Sequence, residues 1–220
     1  CLMARVLVIG DLHCPADLDQ YRKHVCKVRS KWKTDRTVFI GDIVDGHRWG
    51  RWDPTHDAPD SESEYKQTLA RVKWWHQNFQ DSTVVIGNHD ERSVRQARSA
   101  GIPDGLVKNY NDAWKTPTWK WVDTVDIDSV RYFHGEGFSG KYPHMNAALA
   151  HNQSICMGHI HSVAAIQWVQ KPNNFRFFGM CVGAGIDQDH PALRYAARSP
   201  NKSIISCGVV INGTPYLEVM

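Results

Sequence analysis

Arg5-Val-Leu-Val-Ile-Gly-Asp-Leu-His13 decides how this chain is read. Its apolar run does not alternate with polar residues, so it reads as a short strand buried on both faces, stopped by a turn at Gly10-Asp11. The same pattern recurs in Thr37-Val-Phe-Ile-Gly-Asp-Ile-Val-Asp45 and Thr83-Val-Val-Ile-Gly-Asn-His-Asp90. Between these runs, apolar residues fall at helical spacing. Leu18, Tyr21, Val25, Val28 and Trp32 mark a helical pattern opened by Pro15; Tyr65, Leu69, Val72, Trp75 and Phe79 mark a helix starting at Ser61 or Ser63. The order β-α-β-loop-α-β predicts parallel strands joined by crossover helices.

Further along, a short helix is expected over Arg92–Ala100 and another over Met145–Ala150. Residues 101–122, with Trp114, Trp119 and Trp121, read as irregular, either a small cap that selects substrates by size or a surface excursion. Val130–Phe133 and Ser154–Met157 are again short apolar runs, and Asp128-Ser129 is a hairpin candidate. The last third is strand throughout, with a turn at Lys171–Asn174 and a type I′ signal at Asn212-Gly213. The fold class is therefore α/β, two packed mixed β-sheets flanked by helices, with residues 1–220 as one domain.

Composition narrows the function. The 220 residues carry a net charge of +3, which permits an anionic substrate without requiring nucleic acid. No apolar run approaches the roughly 18 residues of a membrane span, and Arg5–Ile9 is too short for a secretory signal. The six cysteines form no CxxC pair, and Cys14, beside a candidate ligand loop, reads as a bystander. Twelve histidines are many for this length, so their placement matters.

Five strand-like runs end in polar signatures: Gly10-Asp-Leu-His13, Gly41-Asp-Ile-Val-Asp45, Gly87-Asn-His-Asp90, His134-Gly135 and Gly158-His-Ile-His161. Ligands gather beyond the carboxyl ends of strands in α/β sheets, so these ends predict one crevice. In extended chain, Asp11-x-His13 and His159-x-His161 would each send both side chains to a common point. Imidazole and carboxylate together suit Mn, Fe, Zn, Co or Ni better than Ca or Mg. Asp42, with two carboxylate oxygens, is the natural bridge between two ions, and Asn88 is a neutral ligand. Two divalent ions bring more positive charge than two carboxylates and a hydroxide cancel, which attracts phosphate and activates water.

The series from Asp11 to His161 resembles the calcineurin-like metallophosphoesterase superfamily. The resemblance implies a two-sheet α/β sandwich of four layers and a dinuclear centre, with Mn the first candidate. One ion would take Asp11, His13, Asp42 and His161; the other Asp42, Asn88, His134 and His159. His89 matches the histidine that contacts substrate and protonates the leaving oxygen, and Asp45 the carboxylate that holds it. The expected mechanism is in-line attack by a metal-bridging hydroxide, without a covalent intermediate.

Sub-family departures point to diesters. The Ser/Thr protein phosphatase branch carries Gly after Asp-x-His and Arg after Gly-Asp-x-x-Asp, where this chain has Cys14 and Gly46. The Gly158-His-Ile-His161 ending resembles small phosphodiesterases and the nuclease-like branch. The substrate is then a phosphoester, with a nucleotide or nucleic acid as candidates. His47, Arg48, Trp49, Arg51 and Trp52 interleave basic and aromatic groups that can hold a phosphate and stack a base, or simply pack as a surface loop. Arg92 is a candidate for substrate or for a carboxylate, and Tyr142 and His144 for the rim. The alternatives are a phosphomonoesterase on nucleotides or phosphoproteins and, in another class, an inactive protein-binding scaffold of the same fold. Small members occur in bacteria and phages, which points to a cytoplasmic setting.

Overall fold

The computed structural model describes residues 3–50, 59–190, 193 and 201–220. The first sheet contains β1 (Arg5–Ile9), β2 (Arg36–Phe39), β3 (Thr83–Val85), β4 (Lys120–Val122), β10 (Ser206–Ile211) and β11 (Thr214–Val219), in the order β11-β10-β1-β2-β3-β4. β1 to β4 are parallel; β10 and β11 close the other edge as an antiparallel hairpin. The second sheet runs β5-β6-β7-β9-β8, from β5 (Thr124–Ile127), β6 (Val130–Phe133), β7 (Ser154–Met157), β8 (Ala164–Gln170) and β9 (Arg176–Val182). Its three central strands are parallel and its two edge strands antiparallel.

Both faces of β1 are buried, as its unbroken apolar run requires. Val6 and Val8 face the second sheet, where Val38, Ile40, Tyr132, Phe178 and Met180 fill the space between. Leu7 and Ile9 face α1 (Asp19–Trp32) and α2 (Ser61–Asn78). Phe133, Met157 and Phe177 on the far side of the second sheet pack on Met145 and Ala148 of α5 (Pro143–His151). The layers run helix, sheet, sheet, helix. Trp75 of α2 is fully buried in an aromatic cluster with Phe39 and Phe79, and truncating such a side chain costs about 3–5 kcal/mol.

Three expectations need correction. α1 starts at Asp19 rather than Pro15, which lies in a turn before it. On α2 the buried residues are Glu64, Thr68, Val72 and Trp75, so the buried stripe is rotated away from Tyr65 and Leu69. The reason is polar: Thr68 Oγ1 donates to the Cys14 carbonyl at 3.2 Å, and Glu64 accepts from the backbone of residues 47 and 48. Residues 101–122 are not irregular throughout. They hold α4 (Tyr110–Trp114) and β4, anchored where Trp119 Nε1 donates to the Phe79 carbonyl at 2.7 Å. Short, polar, Trp-rich elements give little periodicity to read.

The hairpin expectations stand. Asp128-Ser129 and Asn212-Gly213 have positive φ at both positions, as a type I′ turn requires.

Candidate metal centre

The site lies beyond the carboxyl ends of β1, β2, β3, β6 and β7, so strands of both sheets contribute. Each strand stops where its backbone must turn sharply. His13, Asp42 and His159 have φ of 47°, 49° and 65°, a left-handed conformation that costs a side-chain-bearing residue about 1–3 kcal/mol and gathers at functional sites. The His159 segment is thus not extended as expected, while Asp11 and His13 do reach a common point.

Close approach explains two of the glycines. A Cβ on Gly87 would collide with the Asp42 backbone nitrogen and Oδ1, and one on Gly158 with Asp11 Oδ1.

The side chains form two groups, joined by a third set of ligand atoms from His13, Asp42 and His89. Asp11, His13 and His161 offer ligand atoms within 4.8 Å of one another; so do Asp42, His134 and His159. In the first group His13 Nε2 is 3.2 Å from His161 Nε2, which is 3.0 Å from Asp11 Oδ2. In the second, His134 Nε2 is 3.0 Å from Asn88 Oδ1 and 3.1 Å from His159 Nδ1. His159 and His161 therefore serve different groups, not a common point, because the left-handed turn at His159 breaks the alternation. Asp42 Oδ2 is 3.5 Å from His13 Nε2 and 3.3 Å from His134 Nε2, so a single oxygen stands between the groups. Its Oδ1 is engaged by the His89 backbone N–H at 2.8 Å.

This donor set fits divalent ions. Two ligands about 2.1 Å from one ion lie about 3.0–3.4 Å apart at octahedral to tetrahedral angles, the range in which these nitrogens and oxygens converge. The outer nitrogens are fixed by their own partners. His13 Nδ1 donates to Asp45 Oδ1 at 2.8 Å and His134 Nδ1 to the Ile40 carbonyl at 3.0 Å, which leaves each Nε2 lone pair facing inward.

Electrostatics favour a cation. Burial drives the pKa of His13 down, as it does for His159, which suits neutral imidazole ligands. Burial opposes the Asp42 charge, but His134, His89 and His13 outweigh it and hold the carboxyl well below its usual range. Burial likewise opposes the His134 imidazolium, yet Asp42 dominates and its pKa is pushed up to about 10. The positive charge drawn to this carboxylate is the charge a metal ion would supply.

Behind the groups lies a polar frame. Asp45 Oδ1 is also 3.1 Å from His89 Nδ1, although the Asp45 carbonyl oxygen is nearer, at 2.9 Å. Asp90 accepts from Gly87 N and Val44 N and ties the Asn88 loop to the Asp42 loop; burial and the Asp42 charge raise its pKa to about 7. Glu64 clamps the loop after Asp45. Sequence reading missed the frame roles of Asp90 and Glu64. Asp90 was visible as the residue after Asn88-His89, but nothing in a helical Ser-Glu-Ser-Glu run marks Glu64.

The expected substrate residues differ in placement. Arg92 reaches His89 and the Asp45 carbonyl. His47 is buried beside Asp45, and Arg48 is exposed next to it. Trp49 packs on Gly46 rather than standing free, while Arg51 and Trp52 lie outside the described residues. Tyr142 is half-exposed at the start of α5, under Lys141, with no hydrogen bond to either group among the described residues. His144, in the first turn of α5, is buried. Cys14 is buried, and its backbone holds the neighbouring loops.

A sequence profile for calcineurin-like phosphoesterases matches residues 4–177. No curated protein matches the chain. Among solved structures it is similar to Vacuolar Protein Sorting 29 from Cryptosporidium parvum, at 11% identity, covering 100% of this chain and 98% of that one, with a TM-score of 0.46. It is also similar to YfcE, a phosphoesterase from E. coli, at 11% identity, 98% coverage of each chain and a TM-score of 0.43. The nuclease MPE from Pseudomonas putida matches at 12% identity, covering 97% of this chain and 86% of that one, with a TM-score of 0.39.

Proposed function

The chain belongs to the calcineurin-like phosphoesterase family, metal-dependent hydrolases of phosphoester bonds, and from that premise we propose that it is a phosphodiesterase with a dinuclear centre. The observation that carries this reading is the position of Asp42 Oδ2, between His13 Nε2 and His134 Nε2. Asp11, His13, Asp42 and His161 would hold one divalent ion, and Asp42, Asn88, His134 and His159 the other. Bound ions supply an activated water and positive charge for the phosphoryl oxygens. Mn is the first ion to test, since imidazole and carboxylate donors admit it with Fe, Zn, Ni and Co.

The chain's own part is orientation and proton transfer. Hydrolysis places the oxygen of water on phosphorus and breaks one P–O ester bond, and the departing oxygen needs a proton. His89 Nδ1 is turned to the Asp45 carbonyl and its Nε2 meets Arg92 Nη2 at 2.9 Å, so Nε2 would donate to that oxygen once protonated and released by Arg92. Burial works against the His89 imidazolium, but Asp42 and Asp45 outweigh it and raise the pKa, which favours an acid over a base. The diester preference is supported by the Gly158-His-Ile-His161 ending, which serves both ligand groups from one turn.

The test compares bis-p-nitrophenyl phosphate with p-nitrophenyl phosphate under Mn. Faster diester hydrolysis is expected; a monoester preference would make the protein a phosphomonoesterase. Hydrolysis of neither, together with failure to bind metal, would favour the scaffold reading.

A further inference from the structure

α3 (Arg92–Ser99) has no buried residue, yet the side chain of its first member turns inward and is only 16% exposed. Arg92 Nη1 donates to the Asp45 carbonyl at 2.7 Å, and Nη2 is 2.9 Å from His89 Nε2. A guanidinium has only donors, so Nη2–H points at the Nε2 lone pair. A Cβ on Gly50 would lie 3.3 Å from Nη1, so the 46–50 loop packs against the group.

Its charge is poorly matched. Among the described residues the nearest carboxylate oxygen is Asp45 Oδ1, at 4.0 Å, and that oxygen already serves His13 and His89. The guanidinium therefore stands, still charged, at the nitrogen that a leaving oxygen must approach. That oxygen and the Nη2–H cannot share one gap, so Arg92 must shift onto whatever the leaving group carries. A planar guanidinium prefers a phosphate, which it grips with two parallel hydrogen bonds.

Resting on the phosphodiesterase reading, we propose that Arg92 is a leaving-side specificity residue that selects diesters whose leaving nucleoside bears a second phosphate. It acts on substrate directly, through an anion beyond the scissile bond. Arg95, one turn on, is committed instead to the Asn88 carbonyl.

The experiment uses the Mn-loaded protein with the dinucleotide TpT and its phosphorylated forms pTpT and TpTp. The products identify which nucleoside leaves, and the form phosphorylated on that nucleoside should exceed TpT about 10- to 100-fold in kcat/KM, mainly through KM. Arg92→Ala should reduce that ratio to within about threefold of unity, and Arg92→Lys, which keeps charge without the fork, should retain part of it. An unchanged ratio in Arg92→Ala, with all three substrates slowed alike, would make Arg92 a structural tie and overturn the proposal. If the wild type cleaves none of them, the phosphodiesterase reading fails separately. Calorimetry with thymidine 3′,5′-bisphosphate then decides Arg92: a loss of about tenfold or more in Arg92→Ala supports it, and equal affinity overturns it.

Discussion

Asp45 Oδ1 stands 2.8 Å from His13 Nδ1, and both side chains are buried. The carboxylate fixes the tautomer of a proposed metal ligand as well as bordering the proposed acid, His89. Replacing it with Asn keeps the shape and removes the charge. Asp45→Asn should weaken Mn binding about 10- to 100-fold, read by metal titration. Unchanged affinity would leave Asp45 tied to His89 alone.

Gly87 leaves room for Asp42. A methyl group there must displace the Asp42 backbone or carboxylate. Gly87→Ala should cost both metal binding and activity while the far-UV circular dichroism stays that of the wild type. A variant that binds metal normally would show that the loop yields at no cost.

Glu64 satisfies the backbone N–H groups of His47 and Arg48. Burial raises its pKa, yet the two hydrogen bonds favour the charged form. Glu64→Ala leaves two donors without their acceptor and should cost about 1–3 kcal/mol for each that stays buried, measured by urea unfolding. Glu64→Gln should cost less, since it retains one acceptor oxygen.

Asp126 and Arg131 face each other across the β5–β6 hairpin, with two hydrogen bonds of 3.0 and 2.9 Å. Those bonds hold the Asp126 carboxyl below its usual value. A depressed folded-state pKa adds stability that is present above the unfolded value, near 3.9, and is lost as pH falls through the folded one. Because the pair is partly exposed, the gain is under about 1 kcal/mol. Thermal melts should show the wild type ahead of Asp126→Asn near neutral pH, with the gap closing below about pH 4. A gap that widened in acid would contradict the sign.

Much of the layout was legible because it rests on local rules. Unbroken Val/Ile runs gave strands buried on both faces, and Gly followed by Asp, Asn or His gave their ends. The two ligand groups followed from a resemblance spanning Asp11 to His161. That resemblance, not the period-2 rule, put His159 and His161 in different groups, because the split depends on a left-handed φ. Two things escaped. Glu64 and Thr68 occupy a core face because they hydrogen-bond loops distant in sequence. The place of β4 beside β3 depends on tertiary pairing rather than on the polar pattern of residues 101–122.

The central claim is that Asp42 joins two metal sites. Its most direct test is metal content after Mn reconstitution and removal of free ion, in the wild type, His161→Ala and Asp42→Asn. The account predicts about two ions per chain in the wild type, about one in His161→Ala and a loss from both sites in Asp42→Asn. One ion in the wild type, or an Asp42→Asn protein that still holds two, would contradict it.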